Sequence, residues 1–336
     1  MIDLRYSSLS ASLPPEVESA LVQALSAIHS YPDAAYADLK EALAQDAGLT
    51  PKNIAVGNGL DDVIDQLSRI LPEPFWIPTP AFCEFARAAK RNGKEIRLVP
   101  CLKEGRMSTG PLQNADSGTV WLANPNNPTG GAYDKSELGG LFSKSRAIIV
   151  MDEAYFEFCQ KELLPDALLH PNVLRLRTFS KAIGLPGIRL GYLMADEKWV
   201  KRFEENRPFF PLNSLAASAG KCLPALRKNA KLRVDQITKT RESFSARLRN
   251  AGYCVLLSQT NFVLVDTGSE RKTKQMLDAL GQGGVKLLPP WDEEFTALPD
   301  HYIRFVIGTE EEMGRVAQVL EEMRNEDGGM RPVRPS

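Results

Sequence analysis

The chain has 336 residues, 43% of them hydrophobic and 25% charged, a composition that excludes disorder as the default and allows a sizeable core, by length in about two domains. Its 41 lysines and arginines nearly balance 42 acids, so no global field draws it to nucleic acid or to an anionic membrane, and a small, locally recognised ligand fits better. Five scattered cysteines without a C-x-x-C pair, and only three histidines (His29, His170, His301), give no disulfide framework, no zinc or other metal cluster and no Ser-His-Asp triad.

The opening MIDLRYSSLSASLPPEV lacks the basic and apolar regions of an export signal, and no apolar run approaches the roughly 20 residues that span a bilayer. We therefore expect an unexported, cytoplasmic protein with no membrane association. Between Glu16 and His29, Val17, Ala20, Leu21, Ala24, Leu25 and Ile28 fall at helical spacing behind a Pro-Pro start, which predicts an amphipathic helix with one buried face. SYPDAAYADLKEALAQDAG predicts a turn and a second helix ended by Gly48. Short apolar runs at Asn53–Val56, Phe75–Ile77, Glu95–Val99, Thr119–Ala123, Ala147–Met151 and Val173–Phe179 then alternate with helical stretches, the pattern of an α/β fold with a largely parallel sheet.

From about Leu226 the texture changes to a long charged helix, Arg227–Asn250, strands around NFVLVD and YIRFVIG, and a closing helix, Glu310–Arg324. The expected division is a large ligand-binding domain over 30–225, a smaller α+β domain from 1–29 and 226–325, and a disordered tail over 326–336.

In open parallel sheets ligands gather at the carboxyl ends of the strands, so the residues just after each apolar run carry the information. Four such ends are polar or glycine-rich. GNGLDDVIDQL puts Gly59, Leu60 and Asp61 at a helix start, where free N–H groups and the helix dipole bind phosphate; an ordinary Asn-Gly turn capped by Asp61 is the competing reading. The incomplete G-x-G-x-x-G, without an evident acidic ribose partner, argues against a nucleotide-binding oxidoreductase.

NPNNPTGG follows the TVWLA run, and DEAY places Asp152 at the end of a buried strand with Tyr155 three residues on. A carboxylate there is costly unless it meets a cation, such as a protonated heterocyclic nitrogen, although a helix cap or structural ion pair would also account for it. TFSKAIGLPGIRLGY supplies a hydroxyl, an amine and a guanidinium from Ser180, Lys181 and Arg189 within ten residues. A partly desolvated lysine suits Schiff-base formation with a carbonyl, and arginine's planar fork suits a phosphate. Lysine for an aldehyde, carboxylate for a ring nitrogen and cradle for a phosphate are together what pyridoxal 5'-phosphate (PLP) needs.

SYPDAAY, NPNNPTG, DEAY, TFSKAIGLPGIRLGY and YIRFVIGTEE, taken in this order over roughly residues 28–320, resemble the fold-type I PLP aminotransferases. Within that family the resemblance is greatest to the histidinol-phosphate aminotransferase group and its relative threonine-phosphate decarboxylase. It implies a large domain with a mostly parallel mixed sheet between helices, and roles residue by residue. Lys181 would bond the cofactor and later carry the substrate proton, Asp152 would keep the ring nitrogen protonated, and Asn127 and Tyr155 would hydrogen-bond the ring hydroxyl. Phe82, otherwise a core aromatic, would stack on the ring. Leu60, Asp61, Ser180 and Arg189 would take the cofactor phosphate, joined by Tyr31 from the neighbouring subunit of a homodimer. Arg304 would clamp the substrate carboxylate.

Departures from the family pattern concern the substrate. RYSSLSASLPP replaces an Asn-Glu-Asn-Pro-like stretch, and Leu288 of GGVKLLPPW stands where an anion-binding arginine is usual, leaving Arg315 and Lys286 to supply charge. Losing one such charge-assisted contact costs about 1.5–3 kcal/mol, enough to alter substrate preference. The resemblance implies an aminotransferase moving nitrogen from histidinol phosphate or a similar donor to a 2-oxo acid such as 2-oxoglutarate. The alternatives are a threonine-phosphate decarboxylase-like enzyme, which the Phe82 segment PAFCEFARA favours, and a PLP-fold protein that binds without turnover.

Overall fold

The structure, a computed structural model, describes residues 1–6, 12–163 and 170–326. The tail expected at 326–336 lies, apart from Glu326, outside the described residues.

Seven strands form the central sheet: β1 (Ile54–Gly57), β2 (Phe75–Thr79), β3 (Ile96–Pro100), β4 (Thr119–Ala123), β5 (Ile148–Asp152), β6 (Val173–Thr178) and β7 (Gly191–Met194). Their order is β1-β7-β6-β5-β4-β2-β3. Six strands run in one direction and β7 runs against both of its neighbours. The continuous apolar runs in the sequence follow from burial on both faces. Along β4, Trp121 and Ala123 enter one core while Val120 and Leu122 enter another, and in β5 Val150 is set against Ile149 and Met151 in the same way.

Helices flank this sheet and continue beyond it: α1 (Pro15–Ser26), α2 (Ala37–Ala47), α3 (Leu60–Ile70), α4 (Cys83–Arg91), α5 (Lys135–Lys144), α6 (Glu197–Glu204), α7 (Ser214–Lys221), α8 (Leu223–Asn250), α9 (Glu270–Gln282) and α10 (Glu310–Glu326). Gly48 ends α2 as expected, in the left-handed conformation, with its N–H on the carbonyls of Ala44 and Gln45. Helix α1 has the expected buried face at Val17 and Ala24 but ends at Ser26, and Leu25, with Ile28 just beyond it, faces outward, 53% and 64% exposed. Their apolar stripe does not meet this chain's own core.

A three-stranded antiparallel sheet, β8 (Cys254–Val255), β9 (Phe262–Asp266) and β10 (Tyr302–Val306), packs with α8, α9 and α10. Two short pairings lie beside it. Ile2–Asp3 runs parallel to Val285–Lys286, and Ala81–Phe82 pairs with Phe295–Thr296 so that Phe82 stands opposite Phe295. Among the described residues no helix is long and apolar enough to cross a membrane.

Candidate active site

All six parallel strands end at one edge of the sheet, and β7, running the other way, begins there. In register, Asp152 stands between Ala123 of β4 and Leu176 of β6, while Gly191 at the start of β7 stands between Gly57 and Thr178. Strand direction alone therefore collects the loops after β1, β4, β5 and β6 with the loop before β7. They enclose a cavity of about 290 Å³ lined by Leu60, Asp61, Phe82, Asn127, Asp152, Tyr155, Ser180, Lys181, Arg189 and Glu294, among others. Nine of the sequence-derived candidates meet in this one space.

Asp152 is 5% exposed and accepts a hydrogen bond from the Ala154 N–H at 2.8 Å. Burial pushes its carboxyl up to about 7, opposed by the Ala154 N–H and by the positive charge of Lys181. The lysine lies on the half-buried turn after β6, its Nζ 5.4 Å from the centre of the Tyr155 ring. Tyr155 is in turn held edge-on against Phe262. Phe82 forms part of the wall, edge-on to Phe85, on the short pairing with Phe295.

At the other end of the cavity two glycines shape the approach of α3. Gly59 adopts φ 83°, and a Cβ there would lie 2.3 Å from Arg189 Nη2. A Cβ on Gly191 would lie 2.7 Å from the Gly59 carbonyl carbon. Glycine at 191 lets β7 approach the start of α3, and glycine at 59 takes the positive φ that leaves the guanidinium beside the free N–H groups there. Arg189 itself has φ 58°, a left-handed setting strained for any residue with a Cβ, and donates to Asp61 Oδ2 at 2.9 Å and to the Pro186 carbonyl at 3.2 Å. Ser180 borders the same space, its N–H on Thr178 Oγ1 at 3.1 Å.

Arg304, 2% exposed on β10, reaches the site from the smaller sheet. Its Nη1 donates to Asn127 Oδ1 at 2.8 Å and meets Glu294 Oε1 at 2.7 Å, and its Nη2 donates to the Arg5 carbonyl at 3.1 Å. The rings of Phe262 and Phe295 flank it at 5.3 and 4.7 Å. Glu294 escaped the sequence reading because DEEF looks like a solvated acidic run; its proximity depends on the Phe82–Phe295 pairing, which no local pattern announces.

Three candidates lie elsewhere. Arg315 is a correction: it sits on the outer face of α10, 68% exposed in its side chain, beside Glu311 at 3.7 Å, so it adds no charge to this cavity. Lys286 is likewise exposed, at the end of the pairing with Asp3. Tyr31 is 82% exposed and stacks on Phe210 at 4.6 Å, outside the residues lining the cavity. Leu288 is buried in a small cluster with Leu256 and Tyr302.

The model of the family described as aminotransferase class I and II matches residues 2–320. The chain belongs to that family. It is 32% identical to the histidinol-phosphate aminotransferase of Methanothermobacter thermautotrophicus over 322 residues, 92% of this chain and 85% of that protein. Its fold matches the crystal structure of histidinol-phosphate aminotransferase from Sinorhizobium meliloti in complex with pyridoxal-5'-phosphate with TM-score 0.87 at 28% identity, covering 97% and 91% of the two chains. L-threonine-O-3-phosphate decarboxylase from Porphyromonas gingivalis shares the fold at TM-score 0.80 and 24% identity, over 97% and 100% of the chains.

The protein is thus a PLP-dependent aminotransferase of fold type I, and its substrates are small molecules. The residues present fit the cofactor. A desolvated carboxylate waits for a cation, a lysine faces the same space, and a cradle that a Cβ would fill lies between Arg189 and the start of α3.

The Asp152 environment makes a signed prediction for the cofactor-free protein. Its carboxyl is raised from 3.8 to about 7, so in that window the folded state holds a proton that the unfolded state has released. Its contribution to stability therefore falls as pH rises through the window, and the penalty is complete above about 7. Asp152→Asn should make the cofactor-free protein more stable at alkaline pH, by at most roughly 4 kcal/mol, with the gain shrinking toward the acid side. The same variant should bind PLP more weakly. Thermal melts at several pH values with PLP titration check both, and a less stable variant at alkaline pH would refute the account of Asp152.

Proposed function

We propose that this aminotransferase takes its amino group from histidinol phosphate or a closely similar amino donor and passes it to a 2-oxo acid such as 2-oxoglutarate. The observation carrying the proposal is that Lys181 and Asp152 line one cavity with Asn127 and Glu294, the two side chains that hold the buried guanidinium of Arg304. The 32% identity to a histidinol-phosphate aminotransferase across most of both chains supports the donor.

Bound PLP supplies an electron sink that stabilises negative charge at the substrate α-carbon. The chain's residues do the rest. Asp152, buried and hydrogen-bonded, is placed to hold a proton on the ring nitrogen. Lys181 is placed to anchor the cofactor and, once released, to carry a proton to or from the substrate α-carbon. Asn127 and Tyr155 border the space where the ring hydroxyl would sit, and Phe82 offers an aromatic face. Leu60 and Asp61 present backbone N–H groups, with Ser180 and Arg189 beside them, for the phosphate; binding would exchange the Arg189–Asp61 pair for a stronger one. Arg304 offers a planar fork to a substrate oxyanion.

The active unit is proposed to be a homodimer with shared sites, Tyr31 reaching the partner's cofactor phosphate. Support comes from the outward apolar side chains Val22 and Leu25 of α1 and Ile28 just beyond it, and from exposed Tyr31 and Phe209, which a second copy of the chain would cover. Sedimentation should give a dimer in the micromolar range; a monomer that is fully active would contradict shared sites.

The donor is tested by absorbance. The visible band of the PLP-loaded protein should bleach with histidinol phosphate and return with 2-oxoglutarate. Carbon dioxide release from threonine phosphate, with no 2-oxo acid requirement, would transfer the assignment to a decarboxylase.

A further inference from the structure

We infer that Glu294 is a specificity-determining residue: an exchangeable counter-ion on Arg304 that lets one subsite serve both an amino alcohol and a carboxylic acid. The inference rests on the reading of Arg304 as the substrate clamp.

Glu294 is held by its backbone on both sides. Its backbone carbonyl accepts the Cys83 N–H at 3.1 Å, and its own N–H donates to Asp292 Oδ1 at 2.9 Å. These bonds, with the Phe82–Phe295 pairing, fix it beside the aromatic wall of the cavity. Its side chain lines the cavity and meets Arg304 Nη1 at 2.7 Å. The arginine side chain is 1% exposed and the glutamate side chain 18%. The guanidinium thus cannot leave the pair for solvent, whereas the carboxylate has an open side.

Removing the partner of a buried charge is costly, so Arg304 must keep an anion. Asn127 Oδ1 and the Arg5 carbonyl satisfy two of its donors without neutralising it. Glu294 supplies the charge while no substrate carboxylate is present. A 2-oxo acid or an amino acid brings its own carboxylate to the same donors, and two carboxylates on one fork repel each other. Glu294 therefore swings toward its open side as the substrate binds, and part of the Arg304 interaction is lost to that exchange. A donor carrying a hydroxyl where amino acids carry a carboxylate imposes no exchange. Glu294 stays on Arg304 and accepts the hydroxyl proton in a hydrogen bond, so the subsite remains electrically balanced.

Glu294→Gln keeps the shape and removes the competing charge. In the PLP-loaded variant, calorimetric binding of succinate, an unreactive dicarboxylate, should tighten by at least about tenfold, while KM for an amino-alcohol donor rises and KM for 2-oxoglutarate falls. Glu294→Asp, which keeps the charge but shortens the reach to Arg304, should bind succinate with intermediate affinity and serves if the glutamine variant fails to fold. Succinate affinity equal to or weaker than wild type in a folded, PLP-loaded variant would overturn the inference. Succinate binding needs no turnover, so the result stands whichever amine proves to be the donor; absence of reaction with every amine would count against the proposed function alone.

Discussion

The structure turns on a carboxylate that is out of place without its partner. Asp152 lies at the end of a central strand, flanked by Ala123 and Leu176 and almost sealed from water, where burial works against its charge. A protein of marginal stability keeps such a group only where something else uses it. The parallel sheet delivers the rest of the chemistry to the same edge. Lys181 follows the neighbouring strand, and the reversed strand β7 starts at that edge so that Arg189 arrives opposite the start of α3. Gly59, at positive φ, leaves the space the guanidinium occupies, and Gly191 leaves the space the Gly59–Leu60 backbone occupies. Direction, register and two missing side chains build the site.

Much of this was legible from the amino acids because strand ends in an α/β sheet are also chain neighbours. Asp152, Lys181, Ser180, Arg189 and the Gly59–Asp61 turn each sit within a few residues of an apolar run, and the run locates them. Strand β7 was not legible: GYLM is four residues long and follows a loop without periodicity. Its reversal nonetheless decides where Arg189 falls. The outer face of α1 was misread because helical spacing reports an apolar stripe without saying which molecule covers it. Arg315 was misplaced because a charge named as available in the sequence does not say which way its side chain turns, and α10 turns this one outward beside Glu311.

Glu294 illustrates a limit of another kind. Nothing near it in sequence resembles a site, and its neighbours Asp292 and Glu293 suggest solvent. A two-residue pairing across more than two hundred positions brings it against Phe82 and Arg304. The substrate end of the cavity therefore depends on contacts between the two sheets, whereas the cofactor end depends on one sheet edge. That difference explains why the cofactor could be read from motifs and the donor could not. The segment around Leu288 is a packed apolar turn, and buried Arg304 carries its own resident anion.

The central claim is that Lys181 is the covalent anchor of PLP in the cavity built around Asp152. The most direct measurement is borohydride reduction of the PLP-loaded protein followed by proteolysis and mass mapping of the modified peptide. The account predicts a single stoichiometric pyridoxyl adduct on Lys181. An adduct on another lysine, or a protein that takes up no PLP, would contradict it.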